Sequence, residues 1–286
     1  MWHLLSLDAP TVDALWTWFV ARCCNVSLPW TAPTAMFLAV WMLYAADRLL
    51  DARPLDDGST TTDLEERHRF HHRHKQSYLI GIIAVSIALA ALLPHIDAAA
   101  LKLYALLASL LFGYFFLIHI YPANLPPTGN AHRLPKELAV GLFFPAAIFI
   151  PTVARDPQLR FPLAPLAVLF AAVCTLNCLY LYAWEHPETL KQSNPHNSAH
   201  WTTRFATHHL PFFSVLIILC AIAFAFLSVI PEGNLLLALA CGLSAALLLL
   251  LHTQRHRLTP IHLRALADVA LLTPLLLLPI AHFLRL

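Results

Sequence analysis

Long apolar runs, separated by short polar intervals, dominate the chain from Asp8 onward. A window of about 19 residues, the length at which a helix crosses bilayer hydrocarbon, picks out runs at 9–27, 31–50, 77–94, 98–121, 136–154, 162–184, 210–230, 234–252 and 264–284. The pattern predicts an all-α fold: a polytopic membrane bundle of about nine transmembrane helices forming one integral membrane domain over residues 1–286. No internal repeat, low-complexity stretch or soluble domain interrupts it. The first run carries Asp13, Arg22 and Asn25, so it is read either as a crossing helix or as an amphipathic helix lying in the interface.

Composition agrees with this solvent. Of the 286 residues, 59% are hydrophobic and 12% charged, with a mean hydropathy of +0.65, more apolar surface than a soluble domain can hide. A net charge of +2 gives no reason to expect nucleic acid as a partner; membrane lipids are the expected surroundings. Cys23, Cys24, Cys174, Cys178, Cys220 and Cys241 lie in or beside apolar runs without metal-ligand spacing and are read as reduced packing residues. The start, MWHLLSLDAP, lacks a basic stretch and a small-residue cleavage site, so no removable signal peptide is expected. With nine crossings, the segments 47–76, 122–135, 185–209 and 253–263 share one side, and with their span edges they hold about thirteen of the 18 Lys and Arg. That bias places them in the cytoplasm and the C-terminus outside, as for a protein of the cytoplasmic membrane whose site faces the cytoplasm.

The second run passes directly into charge at WMLYAADRLLDARPLDDG, residues 41–58. Asp47 and Asp51 are four apart, so a helix continued through them sets both carboxylates on one face where hydrocarbon gives way to water. Such a pair suits Mg²⁺, which takes one or two protein carboxylates and completes its shell with water and phosphate oxygens. The competing reading is an ordinary helix end, with Arg48 and Asp51 paired at i, i+3.

The stretch resembles the first motif of the UbiA superfamily of intramembrane prenyltransferases, a D-R-x-x-D core followed by an R-P-L-x-x-G turn, through Asp47, Arg48, Asp51, Arg53, Pro54, Leu55 and Gly58. The segment between core and turn is shorter than is usual there, and Leu43 stands where that family carries an asparagine. The resemblance implies nine helices, Mg²⁺ as cofactor, and a second acidic motif closing the sixth helix. That place reads NCLYLYAWEHPE, residues 177–188, where Asn177 stands for an acid, Tyr180 for the motif tyrosine and Glu185 for the remaining metal-binding acid. It also implies a basic stretch entering the fifth helix, here HRLPKELAVGLFFP, with Arg133 and Lys136 as cations for a diphosphate. Read without the resemblance, Asn177 is an interhelical hydrogen-bonding residue, Trp184 an interfacial anchor, Tyr180 a packing residue, and Arg133 and Lys136 topology-setting cations.

Two other features compete. The segment TTTDLEERHRFHHRHKQ packs His68, His71, His72 and His74 among basic residues, and further pairs occur at His196/His200, His208/His209 and His252/His256. Imidazoles from several loops suit a membrane di-iron oxidase, while a solvated basic face beside anionic headgroups is the plainer reading. In the last run, Arg264 and Asp268 are spaced as a self-neutralising i, i+4 pair; Asp13 and Arg22 are candidates for the same role in the first, and His119 is a core or interface histidine. The expectation is a prenyltransferase that takes a Mg²⁺-bound polyprenyl diphosphate and a lipophilic acceptor, an aromatic ring or another group. A non-catalytic isoprenoid-binding protein and a His-rich oxidase are the alternatives.

Overall fold

In a computed structural model of the chain, residues 7–51, 74–119, 136–186, 201–226 and 232–283 are described, and their regular structure is all helical. The α-helices among them are α1 (Asp8–Cys23), α2 (Thr31–Asp51), α3 (Lys75–Leu92), α4 (Ala98–His119), α5 (Lys136–Arg155), α6 (Arg160–Glu185), α7 (Trp201–His208), α8 (Leu210–Phe226), α9 (Glu232–Gln254), α10 (Pro260–Val269) and α11 (Pro274–Phe283). Four segments among the described residues are long and apolar enough to cross a membrane: Lys75–His95, Pro157–Glu185, Leu235–Arg257 and Pro260–Pro279. A fifth is added if α7 and α8, bent by 72°, form one broken span. α2, α4 and α5 contain shorter apolar stretches. Two features depart from the hydropathy pattern: α7 precedes α8, and the last run is divided into α10 and α11 by a break at Ala270–Thr273.

Local chemistry explains the ends. Asn25 adopts φ 55°, and the N–H groups of Asn25 and Val26 donate to Arg22 O and Ala21 O, a Schellman closure of α1 with asparagine in the left-handed position. α10 opens on Thr259, whose hydroxyl accepts from the His262 N–H, with Pro260 in the first turn where a missing N–H costs nothing.

α1 and α6 form the centre. α1 packs against α2, α5, α9, α10 and α11, and α6 against α5, α7, α8, α9 and α10. Trp16, Phe19 and Val20 are fully buried; Trp16 stacks on Phe170 with ring centroids 4.0 Å apart and donates its indole N–H to Leu271 O at 2.8 Å. α1 is thus packed among other helices along most of its surface, with Trp18 and Arg22 exposed. Asp13 and Arg22 do not pair, because nine residues separate them by roughly 13 Å of helix, and Asp13 is buried while Arg22 is exposed. The outer faces are apolar, with Ile80, Ile83 and Ile87 on α3 and Phe212, Leu219 and Phe226 on α8 exposed, as helices solvated by lipid require. No disulfide joins the six cysteines.

α5 and α6 approach closely at Gly141. A Cβ there would stand 2.8 Å from Thr175 Cβ and would overlap the Thr175 hydroxyl, which donates to Ala171 O at 2.8 Å. Gly141→Val is expected to destabilise the bundle by about 1–3 kcal/mol through overpacking. Thermal unfolding in detergent, with Gly113→Val as the control whose added Cβ meets open space, checks this.

Candidate functional site

α2 stays helical through Asp51, so Asp47 and Asp51 stand one turn apart on one face of its last turns. The side chains of Asp47, Arg48, Asp51 and Lys136 lie outside the described residues, and Arg53, Arg133 and the segment holding His68, His71 and His72 do so entirely; Lys136 begins α5. One turn before Asp47, Tyr44 meets Phe144 of α5 edge-on at 5.9 Å and lies within Coulombic range of Arg264 on α10. Tyr44 therefore brings α2, one turn before Asp47, within range of Arg264 on α10.

Arg264 organises that mouth. Its Nη1 donates to Glu185 Oε1 at the C-terminus of α6, with side chains only 18% and 15% exposed, and Asp268 adds a second negative charge within range. Arg264 is thus not confined to its own helix: with Asp268 one turn away and within range, it also reaches across to α6. Its long side chain extends to the carboxylate at the neighbouring helix end, where a cation also offsets the negative pole of α6. Glu185 is thus already engaged by a cation rather than presented as an open metal ligand.

Tyr180 and Asn177 face inward. The buried Tyr180 hydroxyl lies 2.7 Å from Ser214 Oγ, which donates to Leu210 O at 2.9 Å, so this tyrosine fastens α6 to α8. Its ring packs on Trp184 at 5.3 Å and His252 at 5.0 Å, and Trp184 Nε1 donates to His252 Nδ1 at 3.1 Å. Trp184 is thereby held by α9 instead of serving as a free interfacial anchor, and His252 accepts through Nδ1. Asn177 is buried, and its Oδ1 has no hydrogen-bond partner among the described residues. No group of three or more His, Cys, Asp or Glu positioned to hold a metal occurs among the described residues. Sequence reasoning did not anticipate Tyr44 or the Glu185–Arg264 pair; the presence of Arg264 inside an apolar run was the available signal.

Beside the mouth lies an apolar cleft of about 490 Å³ between α2, α3, α4 and α5. Its walls combine small and aliphatic side chains, including Ala35, Ala39 and Leu43 of α2, Ala90 of α3 and Ala108 of α4, with Tyr104, Phe143 and Phe144. Leu43, one turn from Asp47, lines its upper end. At the other end Thr31 Oγ1 donates to His95 O at 3.3 Å, and Arg155 binds Asp97 at 2.8 Å while also donating to Ser27 O. α3 packs on α2 and α4 on α5, with no comparable packing between α3 and α4, which leaves the cleft a lateral side between them.

No protein-family model, curated protein or solved structure matches the chain. The site is described by its own chemistry.

The Glu185–Arg264 pair gives a direct test. Glu185→Ala leaves a mostly buried guanidinium with its main partner gone and is expected to cost about 3 kcal/mol. Adding Arg264→Ala should recover part of that loss, so thermal unfolding across the double-mutant cycle should report a coupling of about 1 kcal/mol or more.

Proposed function

We propose that the chain is an intramembrane prenyltransferase-like protein that takes a polyprenyl diphosphate as donor and a lipophilic acceptor. The observation that carries this reading is the apolar cleft running along α2 to within one turn of Asp47. An anionic head at the α2 end and an apolar tail in the cleft match the two kinds of surface in the order a prenyl diphosphate presents them. The resemblance of residues 47–58 to the UbiA first motif supports the same reading. We read the helices as nine crossings, with α7–α8 and α10–α11 each forming one, and the acidic mouth as cytoplasmic on the distribution of Lys and Arg.

Asp47 and Asp51 fit one Mg²⁺, since their spacing offers two carboxylates and leaves the remaining positions to water and phosphate oxygens; bound there, the ion would neutralise charge on a departing diphosphate. Glu185 is a weaker candidate for a second ion because Arg264 holds it. Arg48, Arg53, Arg133 and Lys136 are assigned to the phosphate oxygens, where fixed cations stabilise developing negative charge better than water does. In the reaction, the allylic C–O bond breaks with its electron pair leaving on diphosphate. The acceptor's electron pair forms the new bond at that carbon, and the acceptor loses a proton. Phe144 and Tyr44, at the junction of mouth and cleft, are placed to shield the allylic carbon from water. Tyr180, with its hydroxyl engaged by Ser214, is assigned to holding α6 in place.

The engagement of Glu185 also favours a second reading, a protein that binds an isoprenoid lipid without turning it over. The histidine-based oxidase gains no support from the described residues.

Purified protein given labelled geranyl, farnesyl or geranylgeranyl diphosphate with Mg²⁺ is expected to release diphosphate. EDTA, Asp47→Ala and Asp51→Ala should each reduce the rate by about a hundredfold or more, as for loss of a main charge-stabilising group. Retained lipid without release would select the binding reading, and stoichiometric iron would select the oxidase.

A further inference from the structure

The geometry points to a limit on the apolar chain: the α2–α5 cleft holds a single tail of about four isoprene units, and a fifth finds no place within it. This inference rests on the reading above for the position of the anionic head at Asp47 and Asp51. The length follows from the helix that forms one wall. From Asp47 to Thr31, which lines the far end, α2 runs sixteen residues, or about 24 Å at 1.5 Å per residue. An isoprene unit adds four chain bonds of ~1.5 Å and extends roughly 5 Å along a zigzag. Four units reach about 20 Å and fit; a fifth does not.

The far end is tied rather than loosely packed. Thr31 is bonded to the His95 carbonyl, and Arg155 joins Asp97 at the head of α4 to Ser27 before α2, so α2, α4 and α5 are cross-linked below the cleft. Higher up, Tyr104 ties α4 to α5 through its hydroxyl, which donates to Ala147 O at 3.3 Å. The bore above is set by alanines: Ala39 faces the cleft from α2 and Ala108 from α4, at comparable depth on opposite sides. Ala39 lies two turns from Asp47, about 12 Å down the helix, level with the third isoprene unit. Any carbon beyond the fourth unit has to turn sideways between α3 and α4 into the bilayer. Lipid tails surround it there as they would without the protein, so it contributes no selectivity.

Ala39→Phe and Ala108→Phe test the limit from two walls. The probes are geranyl, farnesyl, geranylgeranyl and hexaprenyl monophosphates, which lack the diphosphate leaving group, titrated against purified protein by thermal stabilisation. Wild type should gain affinity up to geranylgeranyl and nothing further to hexaprenyl. Each variant should bind geranyl monophosphate within about twofold of wild type and lose about tenfold for farnesyl and geranylgeranyl. Continued gain to hexaprenyl, an unchanged length profile in both variants, or an equal loss at every length would overturn the proposal. Mg²⁺-dependent diphosphate release, measured separately, distinguishes the two ideas: a length limit without release removes the transferase reading and leaves the cleft, and release without a length limit does the reverse.

Discussion

Trp16 ties together three distant parts of the chain, stacking on Phe170 of α6 and donating to the Leu271 carbonyl at the break between α10 and α11, 255 residues away. In lipid there is little hydrophobic force between helices, so packing and interhelical hydrogen bonds carry their association. A break such as Ala270–Thr273 is also tolerated at that depth only where neighbouring groups satisfy the freed backbone. Trp16 supplies one such donor. Thr273 completes the junction by donating to Ala240 O at 3.0 Å and pairing with Ser244 at 2.8 Å, which fixes the break to α9. With the junction held, α10 is free to lean its Arg264 toward Glu185. The arrangement of the mouth therefore follows from a contact made well away from it.

The two halves of the bundle differ in density. Around α1, α6, α8 and α9 the side chains form one continuous buried cluster, and Gly141 lets α5 join it at close range. On the other side, α2 to α5 enclose the cleft with few fully buried groups: Tyr78 is the buried residue of α3, and Ala100, Ile150 and Ala154 form a small separate cluster at the far end. The acidic end of α2 stands at the border between them. Under the proposed function, the denser side would position charge and the open side would take up an apolar chain.

Hydropathy made the helices legible, because lipid demands long apolar runs whatever they pack against. The ends were less legible: the first apolar run extends to residue 27 although the left-handed Asn25 closes α1, and the last begins at 264 although α10 opens at Thr259-Pro260. The spacing of Asp47 and Asp51 was informative because α2 does continue through them. Arg264 was legible only in part. A local charge, Asp268, stands one turn away, whereas the hydrogen-bonded Glu185 lies 79 residues earlier in the chain and is brought in only by folding. The α7–α8 bend left a mark in Pro211, just past the turn, but a proline alone does not give a 72° angle. The cleft was not legible at all, since an alanine lining a cavity and an alanine packed against a neighbour look alike in sequence.

The weak packing between α3 and α4 also has a dynamic side. Regions with few buried contacts open locally at a free energy well below that of the whole fold. For a soluble protein such opening would wet apolar surface; for two helices in a bilayer, the space between them fills with lipid chains as apolar as the side chains they replace. Separation of these two helices therefore costs little beyond lost dispersion contacts. Amide exchange should divide the molecule along this line, with the backbone of α1, α6 and α9 protected to the global limit. The outer helices would exchange as a smaller cooperative unit, and the lipid composition around them, more than any residue in the core, would set how often that unit opens.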